Sequence, residues 1–173
     1  MTFESRRQRL LAGKPQPLRD GVTAARALTH IAHLLEQHIN AALLPCGVTM
    51  REYLALRLLS DSAHEPLRPT SLSVALHATR TQITRLLDAL EKKGLIARTL
   101  DPVDRRGLQV APTPAGAELL ARAVPLVEAV YVRLWAPLAE ADVHALAEQL
   151  TQVHAAFGAP AEPEAEDTPD RSV

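Results

Sequence analysis

Apolar residues recur at helical spacing along most of the chain. Between Val22 and Leu44 the residues Ala24, Leu28, Ile31, Leu35, His38 and Ala42 follow at steps of four and three, the seam of a helix that faces another helix. Pro45-Cys46-Gly47 ends it. Thr49 then caps a helix over Met50 to Ser62, with Tyr53, Leu54, Leu58 and Leu59 inward and Glu52 placed for a capping box. After a loop at Glu65 to Pro69, Ser71 to Leu76 is a short amphipathic run, His77-Ala78 is a break, and Thr79 to Lys93 is a longer helix. That helix buries Ile83, Leu86, Leu87 and Leu90 on one face. Thr79 with Gln82 makes a second capping box, and Lys92-Lys93 followed by Gly94 marks the stop.

The period changes after Gly94. Leu95 to Leu100 and Leu108 to Pro112 read as strands around the turn-forming run Asp101 to Gly107. Thr113-Pro114 restarts a helix as cap and first residue, and it runs to about Trp135 with Leu120, Val124, Val127, Tyr131 and Leu134 on its seam and a kink at Pro125. The last helix, about Glu140 to Phe157, carries Val143, Leu146, Leu150, Val153 and Phe157 at steps of three and four.

Two helices joined by a tight turn and followed by a hairpin describe a winged helix-turn-helix. The outer face of the Thr79 to Lys93 helix holds Arg80, Thr81, Thr84, Arg85 and Asp88, hydroxyls and guanidiniums suited to base edges and phosphates. Arg105 and Arg106 tip the hairpin, where a minor groove attracts arginine. The expected class is mainly α (α+β), a winged helix with N- and C-terminal helices forming a dimerisation domain. Residues 1–21 form an N-terminal extension, 22–48 and 113–157 the helical dimerisation region, 49–112 the winged helix and 158–173 a disordered acidic tail. Within the extension, Thr2 to Leu11 reads as a short basic helix and Lys14-Pro15-Gln16-Pro17 as a linker.

Length and composition fit one globular domain, or one domain plus a dimerisation extension: 173 residues, 47% hydrophobic and only 3% aromatic, so the core is aliphatic. A net charge of -1 taken alone argues against a nucleic-acid partner. Its distribution reverses that. From Arg68 to Arg106 the eight cations Arg68, Arg80, Arg85, Lys92, Lys93, Arg98, Arg105 and Arg106 face only the four acids Asp88, Glu91, Asp101 and Asp104.

The run LRPTSLSVALHATRTQITRLLDALEKKGLIARTLDPVDRRGLQVAPTPAG resembles the DNA-binding core of the MarR family of transcription regulators, in which a helical dimer presents two winged helices. LEKKGLIAR and DPVDRR match in order and spacing, and the likeness extends over about Val22 to Phe157. The TRTQxTRxxDxLEKxG pattern is similar to the family's multidrug-efflux repressors. The resemblance implies that Thr79, Arg80, Thr81, Thr84 and Arg85 face the major groove, that Arg106 enters the minor groove, and that Asp88 pairs with a wing arginine. Phosphate contacts are expected from Arg68, Arg85, Arg98 and Arg105. Gln82 completes the set of DNA-facing residues, and Asp104 joins Asp88 in positioning the wing. Pro112 and Ala139 depart from the family pattern, which usually has leucine and a serine cap there; the proline bears on the end of the return strand.

The same resemblance implies an effector pocket between dimer helices and winged helix, for a lipophilic or phenolic molecule. His38, Tyr53 and Arg57 are the polar groups on apolar seams assigned to it. Leu28, Ile31, Val143, Leu146, Leu150 and Val153 are expected to bury against a second copy, because so small a chain cannot satisfy all its seams alone. Partners are thus double-stranded DNA, a second copy and a small effector, with no membrane, no cofactor and no metal. His30, His33, His38 and Glu36 lie along one helix but lack further ligands on another, so plain helix histidines are the simpler reading.

One cysteine, Cys46, fits a reducing interior, and no apolar run is long enough for a membrane span; a cytoplasmic location is expected. No nucleophile elbow, phosphate loop or paired-carboxylate helix points to an enzyme. The expected function is a repressor binding a pseudo-palindromic operator as a homodimer and controlling an efflux or stress-response gene in multidrug response. Two alternatives are a winged-helix protein-interaction module and a redox-responsive regulator sensing through Cys46. The first would be marked by a wing without basic residues, the second by a neighbouring cation or a resolving cysteine.

Overall fold

The computed structural model describes residues 12–61, 69–100 and 108–158. The first helix, α1, spans Gln16–Leu43, starting well before Val22. Pro15 is extended at φ -56° and ψ 147°, and Pro17 falls in the first turn, where a missing N–H costs nothing because those donors have no helical acceptor. The run that composition marks as a linker is therefore a helix start. Leu44–Cys46 tighten into a 3-10 turn that Gly47 closes at φ 67°.

Helix α2 is Met50–Asp61. Its capping box closes both ways: the Glu52 N–H donates to Thr49 Oγ1 at 3.2 Å, and the Thr49 N–H to Glu52 Oε2 at 2.8 Å. The Met50 N–H donates to Asn40 Oδ1 of α1 at 2.7 Å, so a third otherwise orphaned donor is met from outside the helix. Helix α3, Pro69–Ala75, leads through a turn into α4, Arg80–Lys92. In that turn His77 takes φ 46°, and the Ala78 N–H donates to the Ser73 carbonyl at 3.0 Å.

Strands β1, Ile96–Leu100, and β2, Leu108–Pro112, pair antiparallel with Ile96 opposite Pro112 and Leu100 opposite Leu108. The return strand keeps its pairing up to Pro112 because a proline at a strand end removes no interior ladder bond. Helix α5, Pro114–Trp135, continues through Pro125, and α6 is Glu140–Gly158.

The described chain divides after Arg133 into two compact units. In the first, the core is aliphatic: Leu43, Leu56, Leu72, Ile83, Leu90 and Val127 are all buried to 2% exposure or less. Two seams are only partly buried in this core. On α1 the residues sunk in this core are Ile39 and Leu43, whereas Leu28 and Ile31 are 42% and 39% exposed. On α5 the buried stripe is Leu119, Leu120, Ala123, Val127 and Val130, and Tyr131 lies outside it. In the second unit, Glu140 and Asp142 occupy the first turn of α6, where the helix dipole favours acids. Val153 and Phe157 are exposed. No helix among the described residues is long and apolar enough to cross a membrane.

Candidate nucleic-acid interface

Helix α4 is oriented by its apolar stripe. Ile83, Leu87 and Leu90 are buried, which turns Arg80, Thr81, Thr84 and Arg85 out to solvent. Its N-terminus is held locally: Thr79 Oγ1 accepts from the Gln82 N–H at 3.3 Å, and Gln82 Oε1 accepts from the Thr79 N–H at 2.8 Å. Thr79 and Gln82, both expected at the DNA, thus use these oxygens to cap the helix. The Thr84 hydroxyl donates back to the Arg80 carbonyl at 3.0 Å, leaving its acceptor lone pairs facing outward.

The C-terminal end is held by distant parts of the chain. Lys93, the C-cap, donates from Nζ to Glu52 Oε1 and Oε2 at 2.7 and 2.8 Å and to the Gly47 carbonyl at 2.8 Å. Just beyond it, the Gly94 carbonyl accepts from Thr113 Oγ1 at 2.6 Å, while the Thr113 N–H donates to the Leu95 carbonyl at 3.0 Å. Thr113 Oγ1 also accepts from the Gly116 N–H at 3.1 Å, so one residue caps α5 and ties it to the end of α4. Gly116 packs so closely that a Cβ there would stand 2.2 Å from the Leu95 carbonyl oxygen.

The wing is fastened to α4 by Arg98 of β1. Its guanidinium reaches Asp88 Oδ1 at 2.5 Å and lies 3.4 Å from Glu91 Oε2, with the side chain 21% exposed. Pairing of Asp88 with a wing-strand arginine matches the expectation from resemblance. Arg98, also expected at a phosphate, is thus tied to two carboxylates of α4 and holds the wing strand to that helix. Arg68, Asp104, Arg105 and Arg106 lie outside the described residues.

Of the residues assigned to an effector, Tyr53 and Arg57 are neighbours on α2 and His38 stands on α1. Tyr53 is buried in the core, and that burial raises its phenol above the ordinary value of 10.0. Arg57 forms an exposed i, i+4 ion pair with Asp61 at 3.2 Å, and His38 is exposed on α1. A cavity of about 610 Å³ does open between α1, α2 and the helix-turn-helix, but none of the three lines it. Met50, Leu54, Leu76 and Leu86 supply its apolar wall, and Glu36, Arg51, Glu52 and Arg85 its charged groups. Tyr53 and Arg57 share a side of α2, four residues apart, and the cavity lies against Thr49–Glu52 and Leu54 instead. Cys46 is half-buried in the 3-10 turn. Among the described residues no group of three or more His, Cys, Asp or Glu is placed to hold a metal ion.

A buried stripe, an exposed arginine-threonine face and a wing ion-paired to the same helix are the features by which a winged helix presents itself to a duplex. The sequence model of the MarR family matches residues 48–108. The transcriptional repressor MprA of Escherichia coli strain K12 is 31% identical over 131 residues, covering 76% of this chain and 74% of that protein. The chain belongs to the MarR family. A MarR family transcriptional regulator from Rhodococcus sp. RHA1 shares the fold with a TM-score of 0.70 at 28% identity, over 80% of this chain and 97% of that one. CouR from Rhodococcus jostii RHA1, solved bound to p-coumaroyl-CoA, gives 0.67 at 29% identity over 79% and 93%. As a MarR family member the chain is a DNA-binding transcription regulator and not an enzyme. Within that family fold, the link from Glu52 to Lys93 is the feature that sequence reasoning missed. Its only signal was Glu52 in the α2 capping box.

Proposed function

We propose that this MarR family chain is a homodimeric, ligand-responsive repressor that acts in the cytoplasm on a pseudo-palindromic operator of an efflux or stress-response gene. The observation that carries the reading is the outward face of α4, where Arg80, Thr81, Thr84 and Arg85 are exposed above a buried Ile83, Leu87 and Leu90. Each α4 enters a major groove, with half-sites one turn apart, roughly 34 Å between centres. Arg106 enters the flanking minor groove, and Arg68, Arg85 and Arg105 contact phosphates, which makes affinity steeply dependent on salt. The names of relatives support a repressor, MprA being one.

The effector reading rests on the cavity. Its volume of about 610 Å³ falls in the range of small-molecule sites, and its wall is apolar with a few charged groups. CouR, a structural relative, was solved with p-coumaroyl-CoA, a molecule bearing a phenol. Gln82 and Arg85 belong both to α4 and to the cavity wall. A lipophilic or phenolic ligand seated there favours one placement of α4 over another and releases DNA by population shift.

The test is fluorescence anisotropy with a duplex from the region upstream of the gene itself. Arg80→Ala and Arg106→Ala are each expected to weaken binding by about 1–3 kcal/mol and to leave the oligomeric state unchanged. Wild-type affinity for Arg80→Ala across salt would reject α4 as the reading helix. The same result for Arg106→Ala would reject the wing assignment alone.

A further inference from the structure

Glu52 and Lys93 are 41 residues apart in the chain and meet at the foot of α4. Glu52 is the one buried charged side chain among the described residues, 7% exposed, against 38% for Lys93. A buried carboxylate is tolerated when it is paired and its lone pairs are met. Here both oxygens accept from Lys93 Nζ, and Oε2 also accepts from the Thr49 N–H. Lys93 in turn spends its donors on Glu52 and on the Gly47 carbonyl. The ion pair therefore joins three places: the turn after α1, through the Gly47 carbonyl on Lys93, the first turn of α2 and the C-cap of α4.

The two ends of α4 are held differently. The N-terminal box is internal to the helix, so it sets no direction relative to the rest of the fold. Lys93 does, because its partners lie on other elements. A tilt of about 5° at Lys93 would carry Arg80, roughly 20 Å away along a 13-residue helix, by about 1.7 Å, more than the distance tolerance of a hydrogen bond. We propose that Glu52 is a positioning residue for operator binding: by holding Lys93 it sets the angle at which α4 meets DNA, without touching DNA itself. This rests on α4 being the helix that reads the duplex.

The full chain is assayed for operator binding by anisotropy as wild type, Glu52→Gln, Lys93→Met, the double variant and Arg80→Ala, well below each thermal midpoint. Glutamine at position 52 still accepts from the Thr49 N–H but carries no charge for Lys93. Removing an acid from a DNA-binding protein ordinarily tightens binding by lessening repulsion. The positioning role predicts the opposite sign: Glu52→Gln weakens binding about five- to twentyfold, Lys93→Met does likewise, and the double variant is within about twofold of either. The slope of log affinity against log salt stays unchanged in Lys93→Met.

Equal or tighter binding by Glu52→Gln, with or without a lowered thermal midpoint, overturns the proposal. So do additive losses in the double variant, or a salt slope reduced by about one in Lys93→Met, which would make Lys93 a phosphate contact. Wild-type binding by Arg80→Ala removes the reading of α4 itself, and the inference with it. Weakened Arg80→Ala beside unchanged Glu52→Gln removes the positioning role only.

Discussion

Helices α4 and α1 both repeat apolar residues at steps of three and four, yet the structure uses the two repeats differently. On α4, Ile83, Leu87 and Leu90 are at most 2% exposed, and the helix is satisfied within its own unit. On α1, only the last two turns are, through Ile39 and Leu43, while Leu28, Ile31 and Leu34 remain 36–42% exposed. An apolar period predicts a helix with a face to bury. It does not say whether the partner belongs to the same chain.

The contrast can be broken at three points. Leu90→Ala, which empties a fully buried position on α4, is expected to cost about 2–5 kcal/mol of unfolding free energy in urea titration. A loss below about 1 kcal/mol would mean that α4 does not close the core as described. Gly116→Ala drives a methyl toward the Leu95 carbonyl, so helix α5 must back away from the end of α4; a loss of about 1–3 kcal/mol is expected. An alanine variant as stable as wild type would show that this approach is slack. Ile31→Ala should change the stability of the isolated chain least, by about 0.5 kcal/mol, because its side chain is already 39% exposed there. Its effect should appear in sedimentation as a larger monomer fraction at micromolar concentration, and an undisturbed dimer would remove Ile31 from the proposed interface.

Much of the winged helix was legible in the residues. Both capping boxes, Thr49 with Glu52 and Thr79 with Gln82, were predicted because each closes over three residues, within reach of one helical turn. The stop at Gly94 and the two hairpin strands followed from equally local preferences. The first helix starts earlier than the composition of Lys14-Pro15-Gln16-Pro17 suggests, because a proline inside the first turn is compatible with a helix. A seam position, likewise, gives a face of α2 but not which neighbour covers it. Tyr53 met the core and Arg57 met Asp61, while Arg51 and Glu36 reached the cavity.

What the order of residues determined by itself was the set of helices and strands, their caps, and which face of α4 is apolar, since each depends on neighbours a few positions away. Only the tertiary structure decided that Glu52 would hold Lys93, that Arg98 would be the wing arginine that meets Asp88, and that α5 would press a glycine against Leu95. Those contacts join residues 10 to 41 positions apart or depend on two backbones meeting, and periodicity within one element carries no information about how closely another will approach it.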